Sequence, residues 1–172
     1  MTVVYTIGYE GTDIDRFVSS LKAAGVLRVA DVRAVALSRK KGFSKKSLAA
    51  RLEAEGIEYL HFIELGDPKP GREAARAGLL DKFRAIYSAH LDSDGAQSSL
   101  KELVAVAGEK PTCLLCFERD PVTCHRSIVA EAMADEDDFE VFDLYGDDPE
   151  RYVRNASRMP RYHPREGAAS SQ

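Results

Sequence analysis

Glu118, Cys124, His125 and Arg126 fall within nine positions of the stretch ERDPVTCHRSIVAEAM (118–133). A thiol, an imidazole, a carboxylate and a guanidinium are the groups of nucleophilic and acid–base catalysis. With Asp120 as cap and Pro121 in the first helical position, or with Thr123 as the cap, Cys124 lies at the start of a helix. There the positive end of the helix dipole, with His125 and Arg126 beside it, lowers a thiol pKa and favours the thiolate. Glu118 follows Cys116 by two residues, so on a strand both side chains project to one face. Glu118 is placed to serve as general base, or to orient His125 or Arg126. The alternative is a structural cysteine beside a Glu–Arg ion pair.

Two hydrophobic periods alternate around this stretch. TVVYTIG (2–8), VLRVADV (26–32), IEYLHF (57–62), TCLLCFE (112–118) and FEVFDLY (139–145) have strand length and composition. Helical spacing appears between them, at Phe17, Val18 and Leu21, at Leu48 and Leu52, and at Leu79, Leu80, Phe83 and Tyr87. It recurs at Leu100, Leu103 and Val104, and at Ile128, Val129, Ala132 and Met133. The alternation predicts an α/β fold: an open, mostly parallel sheet of about five strands with helices on both faces, a Rossmann-like three-layer arrangement. Residues 1–146 are expected to form one domain. Residues 147–172 are expected to add a C-terminal extension, a short helix from Asp148-Pro149 followed by a disordered Ser/Ala/Gly end.

An open parallel sheet binds ligands at the carboxyl ends of its strands. Those ends carry Gly8-Tyr9-Glu10-Gly11, then Asp31 and Arg33, then His61, then Cys116 and Glu118, and last Asp143. The opposite ends carry little chemistry. The GYEG turn offers glycines and helix-start amides to an anion, although it lacks a dinucleotide or NTP signature, and a plain tight turn explains it equally well. Arg33 ends a buried strand and therefore needs an anionic partner. The long connection AVALSRKKGF (34–43) contributes Ser38 and Arg39, and Lys45 and Lys46 follow in a first helical turn, where cations oppose the dipole. An anion nearby accounts for them, as does a solvated basic loop. A second long connection, ELGDPKPGREA (64–74), also falls outside the regular pattern.

Several classes are set aside. Cys113 and Cys116 have C-x-x-C spacing, but on a strand they point to opposite faces and lie roughly 10 Å apart, so they neither pair nor chelate together. A metal site would need Cys116, Cys124, His125 and His61 brought together, and C-x₇-C-H is not a recognised zinc spacing, so no metal and no cofactor is expected. No G-x-S-x-G elbow supports a serine hydrolase. The 172 residues carry a net charge of −4, which gives no global case for binding nucleic acid or a membrane. The N-terminus has no basic region or cleavage site, and no apolar run reaches membrane length, so a cytoplasmic location with reduced thiols is expected.

TIGYEG, DVR, S-R-x-x-G-F, GIEYLHFIELG and LLCFERDPVTCHR, in this order, resemble the domain of unknown function 488 family over about residues 4–135. The resemblance implies a compact α/β domain. It marks as recurring polar positions Gly8, Tyr9, Glu10, Gly11, Asp31, Arg33, Ser38, Arg39, His61, Cys116, Glu118, Cys124, His125 and Arg126. It implies no reaction.

From the residues, the expected function is an enzyme acting on a small anionic substrate, phosphorylated or nucleotide-like, at the carboxyl edge of the sheet. Arg33, Arg39 and Arg126 would hold the anion with help from the GYEG amides. Glu118 would act with His61 or His125 as acid/base, and Cys124 as nucleophile. Rhodanese-like sulfur transfer through Cys124 is one variant. The second class is a non-catalytic nucleotide or nucleic-acid binding module using the 39–46 loop and the arginines of the tail, against which the acidic run DEDDFE (135–140) argues. A third, a metal-dependent enzyme, rests on elemental analysis.

Overall fold

The computed structural model describes residues 1–165, so the Ser/Ala/Gly end lies outside the described residues. Five strands, β1 (Thr2–Gly8), β2 (Arg28–Asp31), β3 (Glu58–His61), β4 (Thr112–Cys116) and β5 (Phe139–Tyr145), form one sheet in the order β3-β2-β4-β1-β5. All four pairings are parallel. Connections must then cross over the sheet faces, and helices supply them. These are α1 (Ile14–Ala23), α2 (Lys45–Ala54), α3 (Lys69–Arg76), α4 (Leu80–Leu91), α5 (Asp94–Ala107) and α6 (His125–Glu136), and α7 (Glu150–Arg154) follows β5.

The sheet has an apolar layer on each face, as a parallel sheet requires. On one face, Ala30 and Leu114 pack with Phe83 and Tyr87 of α4, Leu100 and Leu103 of α5, and Val129 and Met133 of α6. On the other, Tyr5, Val29 and Leu115 pack with Phe17 and Leu21 of α1, Leu48 and Leu52 of α2, and Tyr152 of α7. Alternation along β4 thus sends Leu114 one way and Cys113 with Leu115 the other. The connections that follow β1 and β2 turn to one face, while the connection after β4 turns to the face of α6. Neighbouring strands whose connections part in this way leave a crevice at their carboxyl ends, on both sides of β4.

Three helices, not two, connect β3 to β4, because part of the second long connection folds as α3. Its N-terminal cap is Pro68, and Pro70 occupies its first turn, where the missing N–H costs nothing. The basic segment Lys45–Lys46 opens α2 as expected, with no acidic residue in that first turn. After β5 the chain folds back onto the domain. Tyr152 is buried, the Tyr162 hydroxyl donates to the Ala107 carbonyl, and the Arg165 amide donates to Gly108 at the end of α5. No helix among the described residues is long and apolar enough to cross a membrane.

Candidate functional site

A cavity of about 480 Å³ opens at the carboxyl edge of the sheet. Tyr9 after β1, Arg33, Ser38 and Arg39 after β2, and Cys116 to Glu118 at the tip of β4 line it. Cys124 and His125 at the start of α6 line it as well, with Asp67, Arg72 and Arg76 from the segment entering and forming α3. Its size falls within the roughly 300–1,000 Å³ of small-molecule sites.

The floor is a thiol–imidazole cluster. Asp120 caps a single 3-10 turn, Pro121–Thr123, by accepting from the Val122 amide, and Cys124 is then the N-cap of α6. This puts the Cys124 sulfur 4.0 Å and the Cys116 sulfur 3.5 Å from His125 Nδ1. The other ring nitrogen, Nε2, is 2.6 Å from the Val32 carbonyl, which fixes the ring with Nδ1 toward the sulfurs. Tyr87 packs its ring 5.1 Å from that of His125 and anchors its own hydroxyl on Leu65. Glu118 Oε2 lies 3.4 Å from the Cys116 sulfur, on the strand face expected.

The electrostatics differ from expectation at Cys124. Burial pushes its thiol well above the ordinary range, Cys116 adds to the rise, and His125 opposes it. The lowered pKa predicted from the helix dipole is therefore not found, because Cys124 is only 1 % exposed and desolvation outweighs the dipole. Burial also works against charge on His125, but the Cys124 sulfur, the Val32 carbonyl and Asp67 outweigh it and hold its pKa above the usual value.

Arg33 and the GYEG turn also depart from their expected roles. Arg33 has its anionic partner within the chain. Asp31 takes Nε at 2.9 Å and Nη2 at 2.7 Å in a two-point pair, and the Phe43 carbonyl takes Nη1 at 2.7 Å. The amides of Tyr9 and Glu10 donate to the Cys116 and Phe117 carbonyls, so they are not free for an anion. Asp13 caps α1 through the Arg16 amide, which leaves that helix start acidic.

The remaining predicted residues surround the cavity rather than line it. Gly8 lies under the Glu118 carbonyl, Glu10 accepts from the Arg119 amide, and Gly11 supplies a positive φ of 79° to the turn. His61 binds the Arg33 carbonyl at 2.8 Å and faces a separate, smaller hollow with Glu64, Ser99 and Glu102. Arg126 is fully buried behind the β4 tip, where its Nη atoms donate to the Glu118 and Arg119 carbonyls. It holds the loop in place of holding an anion.

Asp67 was not singled out from the sequence. It is 4 % exposed, and its Oδ1 is buried with no hydrogen-bond partner among the described residues. Burial pushes its pKa up to about 6, against the pull of His125 and Arg72. Arg72 and Arg76 were missed with it. Their i, i+4 spacing within a connection already flagged as unusual was the available signal, because four residues apart on a helix is one face.

Asp67 titrates in the direction that weakens the fold. Its folded pKa of about 6 exceeds the usual aspartate value, so the ionised form is disfavoured by folding. No cost exists below about pH 4, it grows through the interval up to about pH 6, and it is complete above that. At roughly 1.4 kcal/mol per unit the full cost is on the order of 2–3 kcal/mol. Asp67→Asn is expected to raise the thermal midpoint at about pH 8 and leave it nearly unchanged at about pH 4. Equal melting of variant and wild type at the higher pH would show Asp67 to be stably charged.

The family model described as "Domain of unknown function DUF488" matches residues 13–133. No curated protein and no solved structure matches the chain.

Proposed function

Since the chain belongs to the DUF488 family, whose description carries no activity, we propose its function from the site: an enzyme that binds a small anionic substrate, phosphorylated or nucleotide-like, in the cavity and acts on it by acid–base chemistry. The observation that carries this reading is the pairing of two features in one cavity. A buried carboxyl oxygen of Asp67 has no partner, and Arg39, Arg72 and Arg76 line the same space without an ion pair to any carboxylate among the described residues. Unpaired guanidiniums around a concave site suit a phosphate or carboxylate, which they bind with strong, charge-assisted hydrogen bonds.

Two carboxyl groups then meet the bound substrate in different environments. Asp67 is enclosed and holds its proton more tightly than a surface aspartate, which suits a general acid. Glu118 is half-buried at the strand tip beside Cys116, placed to accept a proton. The exposed side chains of Leu37 and Phe117 offer an apolar rim for a base or other flat group. Sulfur transfer through Cys124 is less favoured, because its buried, proton-retaining thiol is a weak nucleophile.

The test is a thermal-shift screen of nucleotides and phosphorylated metabolites, with inorganic phosphate as the minimal probe. Binding is expected to raise the melting temperature in proportion to ligand concentration over Kd. Arg39→Ala combined with Arg76→Ala is expected to weaken phosphate binding by at least about tenfold, each lost charged hydrogen bond being worth roughly 1.5–3 kcal/mol. Undiminished binding by that double variant would move the anion site elsewhere.

A further inference from the structure

We propose that Cys116 Sγ, Cys124 Sγ and His125 Nδ1 form a binding site for a soft divalent cation of the zinc type, at the floor of the cavity and with one coordination position facing it. The three atoms lie within 4.8 Å of one another, and all three residues are buried. The two sulfur–nitrogen edges of the triangle are near those of a tetrahedron. Bonds of about 2.3 Å to sulfur and about 2.0–2.1 Å to nitrogen, at tetrahedral angles, set sulfur–nitrogen separations of roughly 3.5 Å. The structure has 3.5 Å for Cys116 and 4.0 Å for Cys124.

Sequence spacing concealed this set. Cys116 ends a strand, a loop and a 3-10 turn follow, and Cys124 and His125 return at the start of α6 on the same sheet face. His61, which the spacing would have required as a fourth ligand, is held by the Arg33 carbonyl and faces the other hollow. Three protein ligands and an open fourth position form the pattern of a catalytic cation site rather than a closed structural one.

The surroundings are those of a ligand set. His125 Nε2 is tied to a backbone carbonyl at 2.6 Å, the outer hydrogen bond that selects Nδ1 as the metal-binding atom. Two thiols and an imidazole favour zinc or cobalt over magnesium or calcium, which prefer oxygen. On binding, the protons held among the two thiols and Nδ1 leave to solvent, and two sulfur–metal bonds and one nitrogen–metal bond form. No electron transfer is involved. Glu118, with Oε2 3.4 Å from the Cys116 sulfur, lines the same cavity and would be available to take a proton from a water bound there. This site goes beyond the anion-binding reading and does not depend on it.

The experiment uses the full chain, reduced and stripped by chelator, titrated with cobalt(II) and then zinc. One equivalent of cobalt is expected to give intense tetrahedral d–d bands and a thiolate-to-cobalt charge-transfer band, with proton release, and zinc is expected to displace it. Cys116→Ser and Cys124→Ser are each expected to weaken binding more than about tenfold. Cys113→Ser, on the opposite sheet face, is expected to leave it unchanged. Should either serine variant fail to fold, the wild-type spectrum decides alone. A cobalt complex without a thiolate band, or no uptake of one equivalent, overturns the proposal. So does equal loss in Cys113→Ser. Arg39→Ala with Arg76→Ala is expected to lose phosphate binding and keep the cobalt spectrum, which separates failure of this site from failure of the anion site.

Discussion

Replacing Gly8 with alanine is expected to destabilise the protein by on the order of 3–5 kcal/mol and to disorganise the cavity edge, although alanine is only one methyl larger. A Cβ at position 8 would fall 1.8 Å from the Glu118 carbonyl oxygen and 2.5 Å from its carbonyl carbon. Both are backbone atoms, so no side-chain rotation relieves the contact. Nor is the loop free to retreat. The Glu118 carbonyl receives Arg126 Nη1 at 2.5 Å, and the Phe117 carbonyl receives the Glu10 amide at 2.8 Å. Moving the β4 tip would strip partners from a buried guanidinium, which already leaves its Nε without a partner. Gly11→Ala is the matched comparison. It meets nothing within 4 Å but has a φ of 79°, so it carries only the strain of a left-handed residue, about 1 kcal/mol. Denaturant unfolding of the two variants separates the causes. Equal losses would mean that the Glu118 loop yields, and that Gly8 serves the turn rather than the close approach.

The carboxyl edge of the sheet was legible because its signal is local. Strand-length apolar runs end in Gly8, Asp31, His61 and Cys116, and parallel pairing puts those ends together whatever the strand order. The order itself, with β4 inserted between β2 and β1, depends on how whole layers pack and left no mark on any one segment. Partnership was harder to read than position. Arg33 was correctly placed just past a buried strand end, yet its partner two residues away was overlooked, because beyond Asp31 the strand alternation no longer fixes which way a side chain turns. Asp67 was illegible for a different reason. Its burial depends on α3 folding back over the sheet edge, and the trace left in the sequence is Gly71, where a Cβ would fall 2.0 Å from Asp67 Oδ1. The direction of the Cys124 shift was misjudged because the dipole argument assumes a helix start open to solvent.

Asp31→Ala is expected to cost about 3–5 kcal/mol, the penalty of leaving one member of a buried ion pair alone. Asp31 is fully buried and Arg33 is 5 % exposed, so neither charge is screened by water. The Tyr59 hydroxyl, which donates to Asp31 Oδ2 at 2.5 Å, loses its acceptor at the same time. Arg33 would keep the Phe43 carbonyl and the face of the Tyr9 ring, 5.4 Å away, neither of which neutralises it. Adding Arg33→Met should therefore recover part of the loss, and a double-mutant cycle should return a coupling of at least about 1 kcal/mol. The pair also bears on which arginines can hold a substrate. While Asp31 is present, Arg33 offers the cavity no net charge, and attraction for an anion falls to Arg39, Arg72 and Arg76. Once Asp31 is removed, an unpaired guanidinium lines the same space, and inorganic phosphate can replace the missing carboxylate. Phosphate is then expected to raise the melting temperature of Asp31→Ala more than that of the wild type. An equal rise in both would mean that Arg33 stays beyond the reach of the cavity even when its partner is gone.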